Sequence, residues 1–220
     1  LEPSYVSGDV HAALDEAVSA QFLVQDKSGE QSWSFRHIIV QEVVAGRIGQ
    51  ERRSEIHLAY SNVLETLFRN TIQVRSEEIL FHIERAQPLV DDARRIRYLI
   101  FAARDAMKSL SFERAAARYS KVIELSEANV VGDSLAEAMR GIVIAGSGTG
   151  RDDDIAKYFS QAFRYYVSAG LIDLALEIAQ IRFIDVAGMS AGIPVYESAL
   201  ELVETGSKIE ANILGRLARS

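Results

Sequence analysis

The chain has no cysteine among its 220 residues. That excludes disulfides and thiolate metal sites, and it fits a reducing, cytoplasmic compartment. Only three prolines are present, so few positions forbid a helix. No apolar run approaches the ~20 residues that a membrane-spanning helix needs, and no membrane partner is expected. Basic residues are outnumbered, with 24 Lys and Arg against 31 Asp and Glu and a net charge of −7. This argues against broad attraction to a phosphate backbone and against direct DNA binding by this chain, while leaving room for a local basic patch. What remains is ordinary for a globular protein: 48% hydrophobic and 25% charged residues.

The common catalytic signatures are also missing. Gly146-Ser147-Gly148-Thr149-Gly150-Arg151 has glycines but lacks the Lys followed by Ser or Thr that a phosphate-binding loop requires. It is expected to be a flexible link between helices, with Asp152-Asp153-Asp154 opening the next one favourably. The four histidines never stand at i, i+4, so no zinc-protease motif exists, and no Gly-x-Ser-x-Gly elbow is present. The adjacent carboxylates Glu77-Glu78 and Asp91-Asp92 read as helix-start residues. No catalytic residue, no metal site and no cofactor held by this chain itself are expected; the chain is read as a non-enzyme.

The dominant signal is apolar spacing of three and four residues, the mark of amphipathic helix. Val10 to Ala20 reads as a helix with Asp9 as its N-cap. Phe22-Leu23-Val24-Gln25 and Trp33-Ser34-Phe35 are short β-like runs joined by the turn-rich Asp26-Lys27-Ser28-Gly29-Glu30. From His37 onward the pattern predicts helices only, over 37–47, 51–69, 74–86, 90–109, 111–127, 132–147, 152–169, 171–186, 190–205 and 207–219. Breaks are expected at turn residues, among them Gly146 to Gly150, Gly170 and Gly188. Helix, hairpin, helix is how a winged-helix unit ends, so residues 1–48 read as a partial winged helix and 49–220 as a helical repeat domain. The chain opens on Leu1-Glu2-Pro3 and a helical pattern runs to its last residues, which predicts a fragment of a longer protein. The fold class expected is all-α: a superhelix of antiparallel helix pairs preceded by that winged-helix segment.

Leu99 to Glu127 resembles a tetratricopeptide repeat. Ala102, Ala103 and Ala106 line one helix, and Phe112, Ala115, Tyr119 and Val122 line the next. Small side chains let two helix backbones approach, and the aromatics fill the groove between them. Glu127 stands where the repeat has proline. Beyond residue 128 two registers compete. Ala156 and Phe163 can match Ala115 and Val122 in a repeat of about forty residues, against the usual ~34. Alternatively Ala162, Tyr166, Gly170 and Ala175 define a unit. The first is preferred because it leaves no helix unpaired.

A second resemblance covers the first 130 residues. Phe35-Arg36-His37, Val40-Gln41-Glu42, Arg52-Arg53-Ser54-Glu55-Ile56-His57 and His82-Ile83-Glu84-Arg85-Ala86 together resemble the segment after the nucleotide-binding domain in signal-transduction ATPases, including LuxR-type transcription regulators with tetratricopeptide repeats. The resemblance implies a regulatory arm in cis with a nucleotide-binding domain, ATP or ADP bound by that parent, and a protein or small inducer on the concave face of the repeats. It also implies a nucleotide-sensing role for His37, with Arg36 beside it. Physically, a histidine at a helix N-terminus sits where anions are favoured, and its ring N–H can donate to a phosphate oxygen. The alternative is that His37 caps its own helix or packs beside Trp33. His57 and His82 read as structural and His11 as exposed.

On the concave face the candidates are Arg97, Arg104, Tyr158 and Tyr165. The aromatic group Tyr158, Phe159, Phe163, Tyr165 and Tyr166 equally suits a repeat core, and Arg94, Arg95, Arg97 and Arg104 read as a solvated face among acidic partners. The same arm attached to a nucleotide cyclase or kinase, or a stand-alone protein-binding scaffold, accounts for these features equally well.

Overall fold

In a computed structural model, residues 7–25, 32–126, 132–149, 152–181 and 186–219 are described. Among them the chain is mostly helical, with one small antiparallel sheet. It divides into two compact units, residues 1–53 and 54–220.

The first unit runs α1 (Ser7–Ser19), β1 (Leu23–Gln25), β2 (Trp33–Phe35) and α2 (Ile38–Arg47). Asp9 lies inside the first turn of α1 rather than ahead of it. The helix closes on a left-handed residue, Gln21 (φ 63°), with Phe22 N–H donating to the Ala17 carbonyl at 2.9 Å and Gln21 N–H to Val18 at 3.0 Å. This paired closure is the Schellman motif. It turns the chain into the hairpin, where Leu23 faces Phe35, Val24 faces Ser34 and Gln25 faces Trp33. The expected hairpin is therefore present; its link over 26–30 lies outside the described residues. The ring beside Trp33 is that of His11, at 6.4 Å between centroids. No residue of α2 is buried, and Ile38, Ile39, Val43 and Val44 all face outward.

The division between the units falls within α3 (Gln50–Leu67), against a sequence boundary at 48. The second unit continues with α4 (Ser76–Arg85), α5 (Asp92–Lys108), α6 (Phe112–Ser126), α7 (Gly132–Thr149), α8 (Asp152–Ser168), α9 (Ile172–Ala179), α10 (Val186–Leu200) and α11 (Lys208–Leu217). From α4 onward each helix packs on the next. Second neighbours also meet: α5 with α7, α7 with α9, and α8 with α10.

The core explains why these segments are helices. Ile79, Leu80 and Ile83 of α4, Leu99, Ala102, Ala103 and Ala106 of α5, and Ala115, Tyr119 and Val122 of α6 form one buried cluster. A second joins Ile155, Phe159, Ala162, Phe163 and Tyr166 of α8 to Ala175 and Ile178 of α9, Tyr196 of α10 and Ile213 of α11. Helix α7 is the wall between them: Ala138, Ile142 and Ala145 face one cluster, Ala136 and Val143 the other. Gly141 is required there, because a Cβ at that position would sit inside the Tyr119 ring. The Phe159 and Tyr196 rings meet edge-on, 6.0 Å apart.

Three boundaries differ from the sequence reading, the first being α9, which ends at Ala179 with Gln180 as its C-cap instead of running to 186. Helix α7 runs on through Gly146, Ser147 and Gly148 to Thr149, so this part of the expected link is helix; Gly150 and Arg151 lie outside the described residues. Ser147 Oγ donates back to the Ile144 carbonyl at 2.8 Å. Packing of α7 on both of its neighbours outweighs the poor helix propensity of glycine, which is only about 1 kcal/mol per residue. Gly188 likewise lies within α10, which starts at Val186 and ends at Leu200 rather than spanning 190–205.

The turns after α5 and α8 are alike. Leu110 (φ 56°) and Gly170 (φ 72°) are left-handed. Ser111 N–H donates to Ala106 at 2.8 Å, and Leu171 N–H to Tyr166 at 2.9 Å. This likeness matches the register through Ala162, Tyr166, Gly170 and Ala175. Alternate-helix contacts run in both sets, α5 with α7 and α7 with α9, and α8 with α10, and are common to both registers.

Helix α3 is attached differently. Its inward residues are Ser54, Ser61 and Leu64, all buried, while Ile56, Tyr60, Val63 and Leu67 are exposed. Ser54 Oγ donates toward the carbonyls of Arg85 (3.3 Å) and Gln87 (3.0 Å) at the end of α4. Ser61 Oγ accepts from Arg94 Nη2 at 3.0 Å, and Arg94 Nε donates to Glu65 at 3.0 Å.

Candidate binding groove

Alternate helices of the second unit line a groove. Asp91 caps α5, its carboxylate accepting from Arg94 N–H at 2.7 Å, which starts the helix so that Arg97, Ile100, Arg104 and Met107 fall on one face. On α7 the same spacing brings Asp133, Glu137, Arg140 and Ile144 opposite them. One cavity of about 560 Å³ is lined by Arg104, Lys108, Tyr119, Glu137, Arg140 and Tyr166, with Met107, Ile144, Leu171 and Leu174 supplying apolar wall. A neighbouring cavity of about 430 Å³ is lined by Arg97, Ile100, Phe101 and Ser134, and shares Arg104, Asp133 and Glu137 with the first. Those shared side chains form a common wall between the two. Their volumes fall in the range of about 300–1,000 Å³ usual for ligand sites.

The groove is crossed by ordered ion pairs. Arg104 forks onto Glu137, with Nε and Nη2 each 2.6 Å from a carboxylate oxygen. Arg140 Nη1 donates to Glu177 at 2.5 Å, tying α7 to α9. Arg97 shares Glu65 with Arg94 and lies over the Tyr98 ring at 5.1 Å. Burial, aided by the Glu137 charge, pushes the Tyr119 phenol up to about 12. Burial also raises Tyr166. Both phenols therefore stay neutral and can donate or accept. Lys108 stands exposed at the rim with no ion pair among the described residues. Among those residues no group of three or more His, Cys, Asp or Glu could hold a metal.

The sequence candidates separate into those the groove brings together and those it does not. Arg97 and Arg104 line it. The arginine cluster is, as expected, set among acidic partners: Arg94 and Arg97 on Glu65, Arg95 on Asp92, Arg104 on Glu137. Tyr165 lies at its edge, its hydroxyl donating to Asp133 at 2.5 Å; that bond raises its pKa. Tyr158 does not line it. Its ring packs against both apolar clusters, with Lys157 Nζ 4.8 Å from its centroid. The aromatic run thus serves mainly as core. Arg36 and His37 belong to the first unit. His37 is the N-cap of α2, outside the helix and exposed, and its side chain makes no cap bond. Asp133, Glu137, Lys108 and Arg140 escaped the sequence reading. The signal was available in the spacing 133, 137, 140 on one helix and 97, 104, 108 on another.

No known family model matches this chain, and no curated protein is similar to it. The resemblance described above stands on the residues quoted for it.

Proposed function

We propose that this chain is a non-catalytic interaction module: a tetratricopeptide-like arm of a multidomain, ATP-dependent transcription regulator of the LuxR type. Its repeats take a protein segment or small inducer in the groove of α5, α7 and α9. ATP or ADP belongs to the parent protein. The observation that supports the binding reading is the pair of adjoining cavities along α5, α7 and α9, walled also by Tyr119 of α6 and Tyr166 of α8; a stack of helix pairs would present such a face on its inner side. Its chemistry suits a ligand with both an apolar part and hydrogen-bonding groups. Met107, Ile144, Leu171 and Leu174 offer the apolar wall, and two neutral phenols and the Arg104 and Arg140 forks offer polar anchors. No helix of the described residues is long and apolar enough to cross a membrane, which agrees with an arm that works off the membrane.

The test is an amide-resolved NMR screen of this chain against a library of drug-sized fragments and short peptides. Hits are expected to shift Gly141, Ile144 and Leu174 together, and Arg104→Ala should weaken them. Hits clustering away from the groove, or none at all, would remove the binding reading.

A further inference from the structure

Helices α3 and α4 meet at two histidines. His57 Nδ1 lies 2.9 Å from His82 Nδ1, with the ring centroids 5.0 Å apart and tilted by 43°. The centroids lie much further apart than the nitrogens, so the rings reach toward each other nearly end-on. Two lone pairs cannot face each other at that distance. One nitrogen must carry a hydrogen and the other must accept it. The donor ring then has its hydrogen on Nδ1 and a lone pair on Nε2, while the acceptor ring has its hydrogen on Nε2.

The surroundings hold both rings in place. Tyr60 stacks on His82 at 4.4 Å and 35°, and Phe81 meets His57 edge-on at 6.2 Å. Arg85 lies over the Phe81 ring at 3.5 Å. Burial, then the Arg85 charge, lowers the pKa of His57. Burial, then His57 itself and Arg85, lowers that of His82, with Glu78 opposing. Charges on the neighbouring helices are engaged elsewhere: Arg94 and Arg97 of α5 on Glu65, and Arg118 of α6 on Glu77 and Glu84.

We propose that His57 and His82 form a proton-sharing latch between α3 and α4, closed while one hydrogen lies between the two Nδ1 atoms. The proton count decides when it opens. A first added proton sits on the free Nε2 of the donor ring and leaves the Nδ1–H···Nδ1 bond intact. A second must take the accepting Nδ1, which breaks the bond and sets two cations against each other. Apart from Leu64 in the apolar cluster, with Leu58 partly buried beside it, the inner face of α3 is held by a few hydrogen bonds, from Ser54 to two carbonyls and from Arg94 to Ser61 and Glu65. Opening the latch therefore loosens α3 as acid rises.

The direction of the pH effect follows from linkage. Both histidines are lowered in the fold relative to the ordinary 6.5, so the unfolded chain binds more protons below that value. Stability is complete above 6.5 and falls as pH drops below it toward the folded values. The pair titrates as a unit, in coupled steps.

The test is long-range proton–nitrogen NMR of the histidine rings in the whole chain, from about pH 8 to about pH 5. The expected result is one of the two rings in the Nδ1–H tautomer. Both should titrate in linked steps below 6.5, and amide exchange should rise along α3 but not along α7 at the second step. Both rings in the Nε2–H form, each titrating singly at the ordinary value, would overturn the latch. Urea unfolding supplies a second readout. The stability of the unmodified chain should fall on acidification more steeply than that of a His57→Gln, His82→Gln variant, and equal slopes would also overturn it.

Discussion

Two seams of the second unit hold helices by opposite means. From α5 to α8 the core contacts are apolar, with Ala102, Ala103, Ala106, Ala115, Tyr119, Val122, Phe159 and Phe163 all buried and the Arg104–Glu137 pair lying outside that core. Between α3 and its neighbours Leu64 and Leu58 supply a small apolar contact, and the rest is polar: Ser54 on two carbonyls, His57 on His82, and Ser61 and Glu65 on Arg94. Apolar burial is non-directional and roughly proportional to area. A hydrogen bond demands geometry and contributes a net ~1 kcal/mol. The first seam is therefore strong, and its apolar core gives no response to pH near neutrality. The second is weaker, geometrically exacting and responsive to protons.

The strongest challenge to this contrast is Phe159→Ala. Phe159 is fully buried and packs edge-on against Tyr196. Its loss is expected to lower the unfolding free energy by about 3–5 kcal/mol, read from urea unfolding at neutral pH. A loss below about 1 kcal/mol would mean that the site collapses to fill the gap, and the apolar seam would no longer be the stronger one.

A smaller effect is expected from Gly141→Ala, which probes packing rather than hydrophobicity. The added methyl collides with the Tyr119 ring, so overpacking should destabilise by about 1–3 kcal/mol. Pairing it with Tyr119→Leu should reduce that penalty, because the two sites are in contact and couple. Independent, additive losses in the double variant would show that the ring and the glycine do not constrain each other.

These seams differ as much in legibility as in strength. Ala102, Ala103, Ala106, Ala115, Tyr119 and Val122 could be placed from spacing alone, because a helix that buries one face must repeat apolar residues at three and four. Most of the helices from α3 to α11 were bounded to within a turn for that reason, but α9 ends at Ala179 rather than 186 and α10 runs Val186–Leu200 rather than 190–205. Helix α3 resists the same logic. Its regular apolar stripe, Ile56, Tyr60, Val63 and Leu67, faces outward, while Ser54, His57 and Ser61 turn in. Periodicity locates a stripe and does not say which stripe is buried. The glycine run at 146–148 misled in the complementary way: local propensity favoured a loop, and tertiary packing on both sides of α7 overrode it. In the groove, Arg97 and Arg104 were visible as basic residues on a helix face. Glu137 and Arg140 were not, because their roles depend on which helix lies opposite. The pairing of His57 with His82 spans 25 residues of sequence, and no local pattern encodes a contact at that separation.

The smallest effect tests the polar seam directly. Ser61 is fully buried, donates to the Leu58 carbonyl at 2.8 Å and accepts from Arg94 at 3.0 Å. Ser61→Ala removes both bonds. Arg94 keeps Glu65 as a partner, so no charge is left stranded, and the expected loss is about 1 kcal/mol. If α3 is held by a sum of such modest bonds, this substitution should also raise amide exchange along α3 while leaving α7 and α8 unchanged. A loss of about 3 kcal/mol or more, on the scale of a core cavity, would show that the two seams are equally tight. Acid sensitivity at His57 and His82 would then have no loosely held helix to act upon.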